Sequence, residues 1–489
     1  AKYREQWLRD YLGVMRRTVE RAEPPHAYVF PQAQHDPVTA AELLQTLERG
    51  AVEVEEATEP VVADGVTYPA GTRVVRLGQP AGAFAKTLLE VQRYPDLRRW
   101  PDGPPRPPYD IAGHTLPIQM GVRAVEVKGH VGGVDGTEPP LRRLERVETP
   151  LGTVSGEGRY GYAFSPGRNR SALLANRLLG AGFRVHRATE RVPALGLPPG
   201  SALVPAAEGL EEVLPGLAAE TGVDVVGLDG PLALETLEQA PTRLGGYRSW
   251  KANIDEGWAR WVLEEYGVGY ETLENPDIRQ GNLIERFDAI LLPHEEPANL
   301  LEGNPEKNVF DEPYPPEYVG GLGDVGMAAL QAFVEAGGTL IALDAACQTV
   351  IGRFALPVRN ALEGLPETDF YCPGSLLRVV VDASHPLGYG LPRETAVMFL
   401  KSPAWELERD EDATVVVRYP MTDPNMSGWI LGPKHLAGKA ALLDVPLGEG
   451  RVVLVGFRPH FRAQMRGTYK ILFNAIARAG SRPARLELG

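Results

Sequence analysis

The sequence predicts an α/β protein of several domains, built on doubly wound, mostly parallel sheets. Three observations carry that expectation. Apolar runs of strand length alternate with amphipathic segments of helix length along most of the chain. One strand-helix-strand unit occurs twice, with the same residues at matching places. Residues 337–351 (GGTLIALDAACQTVI) read as a buried strand, a tight turn and a helix, the corner where α/β folds place ligands and nucleophiles.

In chain order, residues 2–23 form a charged amphipathic helix with Trp7, Tyr11, Val14, Met15 and Val19 at helical spacing, stopped by Pro24-Pro25. Its stripe is expected to pack on the domain that follows, or to end a domain upstream. A first lobe, 27–150, opens with a strand at Ala27–Phe30 (AYVF), a helix at Pro37–Arg49 and a strand at 52–56. A second lobe, 151–240, repeats the unit. GYAF at Gly161–Phe164 matches AYVF, Leu174 and Leu178 match Leu43 and Leu47, and VHRATE at 185–190 matches VEEATE at 54–59. Pro69-Ala70-Gly71 before a strand at 72–77 is echoed by Pro199-Gly200 before one at 201–205. The shared Ala-Thr-Glu, Tyr-x-Phe and Pro-Gly turn point to a duplication.

Between the copies, 100–108 is a proline-rich loop, 109–127 returns to strand-like alternation, and 130–137 is a glycine-rich connector without the strand-to-helix context of a phosphate cradle. The remainder, 241–489, reads as a third domain. It has strands at 246–250, 268–273 and 289–293, and a helix at 254–266 with Trp258, Trp261 and Val262 on its inner face. A loop at 295–318, rich in Pro, Asn and acids, has the length of functional or disordered loops. A helix at 324–336 leads into the corner. Strands at 376–381, 415–418, 440–445 and 451–456 and a helix at 468–478 follow.

At 489 residues the chain has room for roughly three domains. Its formal charge of −14 argues against a nucleic-acid or anionic-membrane partner. No run approaches the roughly 18 apolar residues of a membrane span. The two cysteines, Cys347 and Cys372, read as free thiols rather than a disulfide framework. No signal peptide is present, and the start at Ala1 suggests a processed product with sequence upstream.

The nine histidines are scattered and open no HxxE or HExxH pattern, so no metal ligand and no cofactor is assigned. His294-Glu295-Glu296 is the one dense His/acid cluster, and adjacent residues seldom ligate one metal, so it is read as a strand-end contact. A pocket is expected near Asp344, His294 and Glu295. Cys347, one step into the helix after the corner, could draw thiolate character from the helix dipole with His460 as its base. The competing reading makes Cys347 and His460 structural and Asp344 the helix N-cap.

Several strings resemble one family: PEYVGGLG from Pro316, FVEAGGTLIALD from Phe333, GSLLRV from Gly374, GRVVLVGFRP from Gly450, and earlier YPAG from Tyr68, Gln79-Pro80, AKTLLE from Ala85, Tyr109-Asp110 and TLPIQMGV from Thr115. They are similar to the C-terminal part of large bacterial zinc carboxypeptidase-family proteins. In those proteins a metallopeptidase domain comes first and a class I glutamine amidotransferase-like region last, and the family is typically exported. The resemblance implies a flavodoxin-like third domain, a secreted or periplasmic location, and a metallopeptidase domain or self-association as partner. The departures limit it. The HxxE motif is absent, and Leu343-Asp-Ala-Ala-Cys stands where the Gly-x-Cys-x-Gly elbow belongs. What remains is expected to be a non-catalytic accessory region with a binding, scaffold or assembly role. The alternatives are a part of an active metallocarboxypeptidase whose catalytic domain lies upstream or on another chain, and a thiol hydrolase using Cys347.

Overall fold

A computed structural model of the protein describes residues 2–488. It divides into two units. One runs to Gln92 and resumes over His114–Pro150; the other takes Arg93–Gly113 and the residues from Leu151 on.

In the first unit, α1 (Arg4–Val19) buries none of its residues, and Trp7 is 75% exposed. The stripe forms a helix as its spacing requires, but the burial expected of it is not seen. β1 (Ala27–Phe30) is buried throughout. α2 (Pro37–Arg49) begins with Pro37 at its first position and Asp36 as N-cap, whose carboxylate accepts from the Thr39 amide at 3.1 Å, a cap that contributes about 1 kcal/mol. β2 (Glu55–Ala57), β3 (Arg73–Arg76), α3 (Gly82–Leu89), α4 (Leu116–Met120), β4 (Val125–Val127) and β5 (Leu141–Arg143) follow, beside a small separate sheet of Val61–Ala63, Val66–Tyr68 and Val131–Gly133.

The sheet order is β4-β1-β3-β2-β5, and every pair is antiparallel. β3 returns between β1 and β2, which makes the unit a split βαβ. The α/β class therefore holds, while the parallel winding predicted for the lobes does not. An apolar run marks a strand, but it does not say which neighbour a later strand will choose. Two further differences are local. The alternation at 109–127 resolves into the α4 turn and the short β4, and Val131–Gly133 of the glycine-rich connector pairs with Val61–Ala63.

The second unit contains the repeat. β6 (Gly161–Phe164), α5 (Arg170–Gly180), β7 (Val185–Ala188), β8 (Ala202–Pro205), α6 (Leu210–Thr221), β9 (Val225–Leu228) and β10 (Leu232–Gln239) follow the same path. Their sheet order, β9-β6-β8-β7-β10, matches the first lobe strand for strand. The shared residues have shared jobs. Leu43, Leu47, Leu174 and Leu178 are fully buried. Gly71 and Gly200 take left-handed φ values of 84° and 83°, and their amides donate to the carbonyls of Ala57 and Ala188. In the Ala-Thr-Glu strings, Ala57 and Ala188 are buried, and each Thr clasps the fifth strand's segment. The Thr58 amide and hydroxyl both donate to the Pro140 carbonyl, and those of Thr189 to the Glu235 carbonyl.

Residues 93–113, expected within the first lobe, group with the second unit. Tyr94 stacks on Trp429 at 5.8 Å, and the amides of Ala112 and Gly113 both donate to the Gly374 carbonyl.

The third region is built on β11 (Leu244–Tyr247), α7 (Ile254–Glu265), β12 (Glu271–Leu273), β13 (Ala289–Leu292), α8 (Gly323–Glu335), β14 (Thr339–Leu343), α9 (Ala346–Arg353), β15 (Pro373–Val381), β16 (Glu394–Leu400), β17 (Thr414–Arg418), β18 (Ala440–Leu447), β19 (Gly450–Val455) and α10 (Tyr469–Ala479). The strands β12-β11-β13-β14-β19 are parallel, and β18-β17-β15-β16 extend the sheet antiparallel. β13 and β14 are buried along their whole length, as strands covered on both faces must be. The parallel part has the flavodoxin-type order, with its switch point between β11 and β13. On α7, Ala259, Val262 and Leu263 face the core, whereas Trp261, expected inside, is 40% exposed. The long loop at 295–318 holds a short helix, Pro297–Leu301, and a bridge from Asn304 to Gly320.

A last strand, β20 (Ser481–Leu488), which the sequence reading left out, leaves the third region. It pairs antiparallel with β10 from Leu232↔Leu488 to Gln239↔Ser481.

Candidate functional site

The carboxyl ends of the parallel strands deliver four side chains to one point. Asp344 follows β14, His294 follows β13, Arg458 follows β19, and Asp255 lies in the first turn of α7, the helix after β11. Asp344 stands at the turn with φ +53°, left-handed for a residue with a Cβ, and its amide donates to the Val455 carbonyl at 2.7 Å. A strained turn after a strand is where α/β folds can hold a nucleophile. Here a carboxylate occupies it.

Arg458 binds the cluster together. Its Nε donates to Asp344 Oδ2 at 2.9 Å, Nη1 to Asp255 Oδ2 at 3.0 Å, and Nη2 to His294 Nε2 at 3.0 Å. With Nε2 accepting, the imidazole proton belongs on Nδ1, which lies 2.9 Å from Asp344 Oδ2. Asp344 is 1% exposed. Burial acts to raise its pKa, but the His294 hydrogen bond, the Arg458 charge and the Ser402 hydroxyl outweigh burial and hold it below the usual carboxylate value. Asp344 is therefore ionised and engaged.

The sequence-derived candidates separate. Asp344 and His294 meet, as just described. Asp344 does not cap α9 through its side chain, because the carboxylate turns to Arg458 and His294 instead. Glu295 is buried in the adjoining loop, where Ser249 Oγ at 2.7 Å, Asn253 Nδ2 at 2.9 Å and Asn299 Nδ2 at 3.1 Å donate to it. Cys347 lies in the core with Sγ 3.2 Å from the Ala342 carbonyl, and burial together with the Asp344 charge pushes its thiol well above the ordinary value. His460 is also buried. Its Nε2 donates to the Asp255 carbonyl at 3.0 Å, and burial keeps the ring neutral by lowering its pKa. No hydrogen bond joins Cys347 to His460 among the described residues, and Cys347 is held away from the thiolate that a thiol hydrolase needs.

Arg458 and Asp255 were missed. The available signal was the string Gly456-Phe-Arg-Pro-His, which follows a strand and so belongs at the same sheet edge as Asp344. Among the described residues, no three His, Cys, Asp or Glu side chains are grouped as a metal site requires, and no helix is long and apolar enough to cross a membrane.

No protein-family model matches the chain, and no curated protein matches it. Among solved structures it is similar to a protein described as ThuA-like from Bacteroides uniformis, at 14% identity over 49% of this chain and 91% of that one, TM-score 0.29. It is also similar to a protein described as part of a GMP synthase from Thermoplasma acidophilum, at 14% identity over 48% and 94%, TM-score 0.30. A beta-galactosidase from Bacillus circulans shares 11% identity over 49% of this chain and 31% of that one, TM-score 0.31. Likeness this distant does not bear on activity.

Proposed function

We propose that this chain is a non-catalytic accessory region of a carboxypeptidase-like protein, with an amidotransferase-like third region whose active site has become a structural ion cluster. One observation supports the loss of catalysis above the others. The elbow position carries Asp344, a buried carboxylate whose Oδ2 is held by Arg458 and lies against His294. The nearest thiol, Cys347, is buried and held protonated. The accessory role itself rests on the family resemblance. It would be played in a secreted or periplasmic setting, beside a metallopeptidase domain or a second copy of the chain.

The test is turnover. The purified protein, assayed for ammonia release from glutamine and for residue release from peptide C-termini, is expected to show neither. A rate that disappears in Cys347→Ala would restore the thiol-hydrolase reading and sink this one. For the accessory role, the protein is expected to self-associate or to retain a zinc-bearing peptidase through purification from its source. A lone, zinc-free monomer would count against it.

A further inference from the structure

A cavity of about 270 Å³ lies within the second unit, between α5 and the β7–β8 end of the repeated lobe on one side and α10 on the other. It is remote in composition from the ion cluster. Its lining includes Arg168, Arg187 and Lys470 but no Asp or Glu, in a chain whose formal charge is −14. Arg168 is held by Asp224. Arg187 has no such partner: no carboxylate among the described residues pairs with it.

The Arg187 guanidinium donates from Nη2 to Asn474 Oδ1 at 2.8 Å and from Nε to the Gly200 carbonyl at 3.4 Å, and it lies over the Tyr389 ring at 5.4 Å. These are neutral groups, and the residue lines the cavity. Burial draws its pKa down to about 10, and only the Tyr389 phenol opposes that. A half-buried cation with no counter-charge at a cavity wall is a ready partner for an anion. Lys470 adds a second cation. It sits in the first turn of α10, the helix end where the dipole disfavours positive charge, and its Nζ donates to Asn169 Oδ1 at 2.9 Å. The fold does not demand a base at the Arg187 position, because the first lobe has Glu56 there, paired with Arg73 and Arg142.

We propose that this cavity binds a small organic oxyanion, a carboxylate or a phosphate ester, with its charged head at Arg187 and Lys470 and its carbon body against Leu179, Val268 and Phe473. Arg187 reaches across the cavity to Asn474, one turn after Lys470 on α10, and apolar side chains line the rest, which matches the usual design of small-molecule sites. The volume suits a ligand larger than inorganic phosphate. The reading is independent of what happens at Asp344.

Calorimetric titration of the full chain tests it, with benzoate, phenyl phosphate, inorganic phosphate and the uncharged benzamide as probes. Saturable one-to-one binding of benzoate or phenyl phosphate is expected, and the stronger of the two tells carboxylate from phosphate ester. Benzamide should bind at least about tenfold more weakly, and Arg187→Gln should weaken the anion by a similar factor or more. Lys470→Met provides a second variant should Arg187→Gln melt early. No saturable binding of either organic anion would overturn the proposal. So would benzamide binding as well as benzoate, inorganic phosphate binding as well as either organic anion, or a folded variant that binds like the parent.

Discussion

The two lobes share a strand order, a split βαβ unit, a left-handed Pro-Gly turn and a threonine clasp, yet they have been put to different uses. At matching positions on the second strand, the first lobe has Glu56, paired with two arginines, and the second has Arg187, paired with no carboxylate among the described residues. The first lobe lies in a compact unit of its own. The second is merged with the third region through β20 and the helix α10. The framework repeats what backbone hydrogen bonding and core volume demand, and the side chains that the framework leaves unconstrained have diverged. Duplication preserves geometry; it does not preserve charge.

The largest expected effect comes from the shared core. Leu47→Ala and Leu178→Ala should each cost about 2–5 kcal/mol. In calorimetry, the first should lower a transition belonging to the first unit alone, and the second should lower that of the second unit. A single transition shifted equally by both variants would show that the lobes do not differ in this way.

A second guanidinium sharpens the contrast with Arg187. Arg458 faces two carboxylates, and Asp344→Asn should remove about 1.5–3 kcal/mol at neutral pH by weakening a charge-assisted hydrogen bond to Arg458, whose charge Asp255 still balances. The pH dependence has a definite sign. The folded pKa of Asp344 is depressed, so its contribution is complete above the unfolded value of about 3.9 and is lost as pH falls through the lower folded value. Urea midpoints of the parent should therefore decline below about pH 4 more steeply than those of the variant. Parallel acid limbs would show that Asp344 is not held in this state.

The paired glycines give a smaller difference. Both positions are left-handed, so Ala at either should cost about 1 kcal/mol. At Gly200 a Cβ would also run into Tyr389, whereas at Gly71 the nearest atom is Gln32 Cγ at 3.4 Å. Gly200→Ala should therefore cost about 1–3 kcal/mol more than Gly71→Ala in chemical denaturation. The smallest expected effect tests sameness. Thr58→Val and Thr189→Val each lose one hydroxyl hydrogen bond, and both should cost about 1 kcal/mol. Unequal costs would mean that the clasps are not equivalent.

What the sequence revealed was local. β1, α2 and β6 stand where their apolar runs and flanking Pro37 and Gly50 put them, because a strand or a capped helix is set by a few neighbouring residues. The parallel core of the third region was legible for the same reason, as continuous apolar runs bounded by glycines. The return of β3 between β1 and β2, and of β8 between β6 and β7, was not, because pairing is decided by partners far along the chain. The site divided in the same way. Asp344 and His294 were found from strand ends. Arg458 and Asp255 were missed because the contact between them spans 203 residues. Cys347 was a candidate until its depth in the core was known.

The pairing of β20 with β10 has a consequence for how the chain is made. Thr236 and Ala484, bonded across that pair, are 248 residues apart. At roughly 5–20 residues per second, a ribosome needs on the order of 12–50 s to deliver the second after the first. For that interval the outer edge of β10 has no strand beside it, while all the strands of the first lobe have already been synthesised. A nascent chain stalled before residue 481 would present an unpaired β edge to its neighbours on the polysome, so the second lobe is where co-translational chaperone protection would be needed.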